Sequence, residues 1–112
     1  MAHLTLLAKT SCTSNPSDGI SRIFIFVRVT DENGDAVTGL AQKNFDVWRG
    51  MGAEAISFVA AQGATNMPGI YAIALEKTLG SLKGQFVYTV RAKSGSGKEQ
   101  AKGWTLTDLV ML

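Results

Sequence analysis

The chain has 112 residues, of which 46% are hydrophobic and 18% charged, and its formal net charge is +2. This length and apolar content are those of one globular domain, which we expect to span residues 1–112, and they exclude a disordered chain. One cysteine, Cys12, excludes an intrachain disulfide scaffold. Residues 77–112 carry six Lys and Arg against two Asp and Glu. Solvated strand faces account for this excess, so we expect no nucleic-acid partner.

The predicted elements are all strands. Twelve glycines divide the chain into short runs rich in β-branched and aromatic residues, and no stretch keeps a 3.6-residue period. The dipeptide Asn33-Gly34 favours a tight hairpin turn after the second strand. Turn residues recur about every ten positions, which predicts an all-β sandwich of about seven to eight antiparallel strands. The strands are predicted at residues 3–9, 21–30, 45–49, 55–61, 69–77, 85–93 and 101–109.

The second predicted strand is apolar on both faces. Its aliphatic residues between Ile23 and Val29 suit a sandwich core, which leaves Phe24 and Phe26 on the outer face. Large apolar patches are rare on soluble monomers, so something is expected to cover these rings. Three kinds of cover remain open: the first strand or the C-terminal segment of the same chain, a subunit interface, or a partner. The apolar end of the chain, which includes Val110 and Leu112, needs a docking place as well.

The tryptophans allow two interpretations. Trp48 directly precedes Arg49, and an exposed Trp–Arg pair is a frequent hot spot of protein interfaces. A core tryptophan with a hydrogen-bonded indole N–H is more common, and it is the favoured interpretation for Trp48. Trp104, in the last predicted strand, is assigned to the core. Alternation also assigns Tyr71 and Tyr88 to the core face, where each hydroxyl needs a hydrogen-bond partner.

Residues 27–48, VRVTDENGDAVTGLAQKNFDVW, resemble a pattern found in immunoglobulin-like β-sandwich modules of bacterial proteins. In that pattern a V-x-V-x-D strand leads into an Asn-Gly turn, a V-x-G-L segment and an F-x-V strand. A PG-x-Y segment at 68–71 and a G-x-F-x-x-x-V segment at 84–90 extend the resemblance over roughly residues 21–93. Ala36 replaces the usual proline, and the two cysteines of antibody domains are absent. The resemblance implies the fold but no single function, because such modules serve as spacers, adhesins, enzyme-appended domains and assembly subunits.

The chain has few side chains suited to catalysis or metal binding. His3 and Cys12 are the single histidine and the single cysteine, and a terminal strand is a poor support for a catalytic base. We therefore expect no enzyme, no cofactor and no zinc site. Asp31, Asn33 and Asp35 alternate as at the start of a calcium loop. Glycine stands at the fourth place rather than the sixth, however, and no glutamate follows at the twelfth, so a solvated turn is favoured.

The apolar run near the start of the chain is interrupted by Lys9 and lacks a preceding basic segment. We expect no classical signal peptide and no membrane insertion, which leaves three alternatives open: a cytoplasmic protein, export by a non-classical route, or a leader that this sequence lacks. These observations predict a non-catalytic structural or interaction module that binds another protein or itself. The alternative is a ligand-binding module for carbohydrate or calcium. The predicted interaction residues are Phe24, Phe26, Trp48, Arg49, Val110 and Leu112.

Overall fold

The computed structural model describes residues 3–15, 17, 19–49, 52–58, 68–78, 84–95 and 100–111. These residues form eight strands and one short 3-10 helix (Gln42–Asn44), and no helix among them is long and apolar enough to cross a membrane. The all-β prediction is confirmed. The strands are β1 (Thr5–Asn15), β2 (Ile20–Thr30), β3 (Phe45–Arg49), β4 (Gly52–Ala53), β5 (Ser57–Phe58), β6 (Ile70–Thr78), β7 (Gly84–Ser94) and β8 (Ala101–Met111).

Two four-stranded antiparallel sheets form a β-sandwich. The strand order of the first sheet is β1-β2-β6-β5, and that of the second is β4-β3-β7-β8. The chain therefore passes from one sheet to the other after β2, β4 and β6. One edge of each sheet is a long strand, β1 in the first sheet and β8 in the second. The opposite edge is a strand of only two residues, β5 in the first sheet and β4 in the second.

The core lies between the two sheets and is built by alternation along the strands. Ile23, Ile25, Val27 and Val29 of β2 are each 0% exposed, as the period-2 pattern predicts. The intervening residues of β2 face the other side of the sheet. The aliphatic set packs in one cluster with buried residues of four other strands, among them Leu6, Phe45, Val47, Tyr71, Ile73, Leu75, Tyr88, Val90 and Ala92.

Four of the predicted strands differ from the structure by one or two residues at an end, and two differ by more. The first strand was predicted to end at residue 9, but β1 continues to Asn15. It pairs with β2 without interruption from Thr5 opposite Thr30 to Asn15 opposite Ile20. Pairing with the apolar strand β2 therefore extends β1 into a Ser/Thr-rich segment whose composition predicted a loop. The strand predicted at 55–61 is reduced to Ser57–Phe58 in the described part, and residues 59–61 lie outside it.

Strands β1 and β8 lie side by side although they belong to different sheets. A parallel bridge joins His3 to Lys102, and the Leu4 amide donates to the Lys102 carbonyl over 2.9 Å. Further along, the hydroxyl oxygens of Thr10 and Thr107 are 2.7 Å apart. We call this contact the seam. It closes one side of the sandwich.

A glycine permits the close approach of the two strands. Gly103 of β8 is buried, and a Cβ atom at this position would clash with the Leu4 carbonyl oxygen and lie 2.7 Å from Leu6 Cδ1. The Leu4 carbonyl oxygen belongs to the backbone and cannot yield without a shift of the chain, whereas Leu6 Cδ1 is the end of a side chain and can move more easily. Leu4 and Leu6 are 7% and 5% exposed, so the approach also brings Leu6 of β1 and the preceding Leu4 into the core.

Candidate functional site

Large hydrophobic side chains are exposed around the seam. Five such residues are exposed in the described part of the chain, and all five lie on the seam strands or on their neighbours β2 and β7. Scattered exposed hydrophobic residues are ordinary, but their concentration on one side of a domain is a feature of binding surfaces. We call them the seam patch: Leu7 (64% exposed), Phe26 (46%), Val87 (43%), Trp104 (57%) and Leu106 (64%).

A groove of about 410 Å³ runs along the seam. Leu7 and Phe26 line it from the first sheet and Leu106 from the second, together with parts of Lys9 and Arg28. This volume is within the range of sites that bind small molecules or single segments of chain. A smaller hollow of about 210 Å³ shares two lining residues with the groove, so the depression continues along β1. Its lining is Thr5, Leu7, Arg28, Thr30 and Gly34.

Two cations flank the groove. Lys9 of β1 and Arg28 of β2 are both exposed, and neither is within ion-pair distance of a carboxylate in the part of the chain that the structure describes. In contrast, Arg22 lies on the same sheet face with its Nε 3.6 Å from Glu76 Oε1. The groove therefore combines an apolar lining with uncompensated positive charge.

The two outward phenylalanines of β2 have different environments. Phe24 is half-buried and pairs with Ala74 of β6, whereas Phe26 pairs with Ala72 and is 46% exposed. Ala72 is only 6% exposed although it faces outward, so neighbouring side chains cover it. The small residues of β6 thus leave room for the rings on this face, and Phe26 remains accessible.

The C-terminal segment belongs to the second sheet. Val110 lies in β8, where its backbone pairs with Gln85 of β7, and Leu112 lies outside the described residues. The backbone up to Met111 therefore does not cross the outer face that carries Phe24 and Phe26.

Trp48 faces outward from the second sheet and stacks on an arginine. Arg91 Cζ is 5.0 Å from the centroid of the Trp48 ring, and Arg91 Nε and Nη2 lie 3.1 and 2.6 Å from Asp46 Oδ2. The next residue across the sheet from Arg91 is Trp104. The core position predicted for Trp104 is wrong, because Gly103 takes the inward place in β8 and the following residue faces solvent.

Successive side chains of β3 point to opposite faces of the sheet, so the Arg49 side chain does not lie on the same face as Trp48. Arg49 Nε lies 3.4 Å from Glu54 Oε1, and the Glu54 side chain is only 8% exposed.

The Tyr88 hydroxyl is buried, with no hydrogen-bond partner among the described residues. Two effects raise the pKa of Tyr88 above its ordinary value. The larger is the loss of solvation on burial, and the second is the negative charge of Glu54. The hydroxyl lies inside the sandwich and away from the seam groove.

Hydrogen bonds confirm the predicted partner for the Tyr71 hydroxyl and the predicted role of Asp31 in the turn. The Tyr71 hydroxyl donates to the Val37 carbonyl over 2.7 Å and accepts from the Leu40 amide over 3.2 Å, which anchors the segment after the turn to the core. Within the turn, Asp31 Oδ1 accepts from the amides of Asn33 (2.9 Å) and Asp35 (3.0 Å).

The acidic turn and the single histidine do not assemble into larger clusters. Among the described residues, no group of three or more His, Cys, Asp and Glu side chains is close enough to hold a metal ion. His3 and Cys12 lie nine residues apart along extended chain, which corresponds to about 30 Å. A cysteine–histidine pair would need hydrogen-bond contact, so these two side chains do not form one.

Comparison of the chain with protein-family models, curated proteins and solved structures found no match.

Proposed function

We propose that this protein is a non-catalytic immunoglobulin-like module that binds another protein or a second copy of itself through the seam patch. The single observation that carries the proposal is that one groove is lined by the exposed Leu7 and Phe26 on one side and by the exposed Leu106 on the other. Aromatic side chains are enriched in protein interfaces, and the fully buried core of an interface is more apolar than the rest of the surface.

The strand order supports the immunoglobulin-like part of the proposal. Immunoglobulin domains pair strands A-B-E-D in one sheet and C-F-G in the other, and some carry an additional C′ strand next to C. When β1 to β8 are named A, B, C, C′, D, E, F and G in order, the two sheets here read A-B-E-D and C′-C-F-G. One departure is Trp48, which faces outward from the strand equivalent to C, where antibody domains bury a tryptophan.

Photo-crosslinking tests the proposal directly. The photoreactive residue p-benzoylphenylalanine is placed at Leu106 in the seam patch or, as a matched control, at the exposed Thr38 in the loop after the turn. We expect a discrete cross-linked species in native cell extract or with purified protein for Leu106 and none for Thr38. Light scattering of the purified protein then separates a self-complex from a complex with another protein. Equal cross-linking yields at the two positions would refute a role for the seam patch.

A specific observation also favours the alternative, saccharide binding. Trp104 is 57% exposed beside Arg91, whose guanidinium is held by Asp46. An exposed indole face next to fixed polar groups can stack on a sugar ring. Titration on a glycan array tests this function, and Trp104→Ala should abolish any glycan binding while Trp48→Ala, at a half-buried position, should weaken it less.

A further inference from the structure

We infer that the seam groove binds an acidic, apolar polypeptide segment of another protein and not a second copy of this chain. The inference rests on the proposed function and names the chemistry of the partner. Its basis is the juxtaposition of the apolar groove lining with Lys9 and Arg28.

The charge of the groove selects for carboxylates. Lys9 and Arg28 both line the groove, and neither has a carboxylate partner among the described residues. A bound segment that places an Asp or Glu side chain beside them forms ion pairs that the free protein lacks. Complementary charges around an apolar contact mainly increase specificity and the association rate. A basic segment would instead meet repulsion at the same place.

The same charges disfavour a symmetric dimer. A two-fold dimer brings the same patch of both copies together, so four groove cations would share one interface and would need carboxylates of the same patch to compensate them. Asp108 is an exposed carboxylate of β8, but it does not line the groove. The surface is therefore not self-complementary.

The shape of the depression favours an extended segment. The groove and the smaller hollow share Leu7 and Arg28, so together they follow β1 from Thr5 to Lys9. This distance is roughly 13 Å, which is the length of about four residues in extended conformation. Alternate side chains of such a segment would point into the apolar lining, and the intervening ones would face the cations.

Fluorescence anisotropy with three labelled peptides of about eight residues tests the inference. One peptide alternates leucine and glutamate, the second alternates leucine and lysine, and the third alternates serine and glutamate. We expect the first to bind and the other two to bind at least about tenfold more weakly. Arg28→Glu should weaken the first peptide's binding by about fivefold or more, the scale of one ion pair, and improve binding of the second. Lys43→Glu makes the same charge change at an exposed site on the 3-10 helix and should leave all three affinities unchanged.

Each other result overturns the inference. Equal binding of the acidic and basic leucine peptides, or no binding of either at about millimolar concentration, removes charge selection by the groove. Binding to anionic phosphatidylglycerol vesicles that Arg28→Glu abolishes, without peptide binding, identifies a lipid surface as the occupant. A salt-resistant homodimer that Leu106→Ser dissociates identifies a second copy. Cross-linking at Leu106 that Arg28→Glu leaves unchanged would refute the acidic partner and leave the proposed function standing, whereas no cross-linking at Leu106 would refute the proposed function itself.

Discussion

The substitution Gly103→Ala tests whether β1 and β8 approach as closely as the structure describes. The added methyl group would clash with the Leu4 carbonyl oxygen and lie 2.7 Å from Leu6 Cδ1. The Leu4 carbonyl directly precedes β1 and cannot move alone, so the start of β1 must shift away from β8. The hydrogen bond from the Leu4 amide to the Lys102 carbonyl then lengthens or breaks.

The expected cost lies between two limits. If the strands adjust locally, overpacking costs about 1–3 kcal/mol of unfolding free energy. If the start of β1 detaches, Leu4 and Leu6, which are 7% and 5% exposed, become hydrated. Each buried leucine contributes about 1.5–3 kcal/mol and the lost hydrogen bond about 1 kcal/mol, so this limit is about 4–7 kcal/mol. Partial detachment places the expected loss at about 2–5 kcal/mol.

Urea denaturation followed by tryptophan fluorescence measures this loss. The matched control is Gly52→Ala, at an exposed strand position where an added Cβ would have its nearest neighbour, the Arg49 carbonyl oxygen, at 3.7 Å. We expect the control to change the unfolding free energy by no more than about 0.5 kcal/mol. If the two variants differed by less than that amount, the close seam would be refuted.

Three further substitutions test hydrogen bonds and backbone conformation, and a pH profile extends one of them; all are measurable by chemical or thermal denaturation. Tyr71→Phe should cost about 1–3 kcal/mol, because the Val37 carbonyl and the Leu40 amide lose their shared partner; an unchanged stability would contradict the anchoring role of this hydroxyl. Tyr88→Phe should instead be neutral or stabilising by up to about 1 kcal/mol, since it removes a buried hydroxyl that has no partner. Because the pKa of Tyr88 is raised in the folded state, the stabilising effect of its protonation is present below about pH 10 and is lost as the pH rises through the folded value. The wild type should therefore lose more stability than Tyr88→Phe between pH 9 and pH 11, and parallel pH profiles would contradict the burial. Gly34→Ala should cost about 1–2 kcal/mol, because Gly34 has a φ of 84°, and a smaller loss than that of Gly52→Ala would exclude this turn conformation.

The core of the fold could be predicted because it depends on local alternation. The aliphatic residues of β2, and Tyr88 and Val90 of β7, face inward as their period-2 spacing indicates. Asp31 and Gly34 also behave as turn chemistry predicts, although the positive φ belongs to the glycine alone. In each case the determining interactions lie within a few residues along the chain.

The seam could not be predicted from the same patterns. It joins residues that are almost a hundred positions apart, such as Thr10 and Thr107, and no local period reports which strands of two sheets become neighbours. The groove, its cations Lys9 and Arg28, and the exposure of Leu7 depend on that contact. For Trp104 a local indication did exist. Lys102, Trp104 and Asp108 share one face of β8, and the two charged residues indicate that this face meets solvent.

The parallel arrangement of β1 and β8 determines how the protein would respond to mechanical tension. His3 lies beside Lys102 at the start of β8, so the end of β8 at Met111 lies toward the opposite end of the sandwich. A force that pulls residue 3 and residue 111 apart therefore acts along the strands and loads the seam contacts together in shear, instead of opening them one after another. The resistance to such a force is set by the rate of forced unfolding rather than by equilibrium stability. The contact that keeps Leu4 and Leu6 in the core would thus also be the element that bears load if this domain transmits tension within a longer assembly.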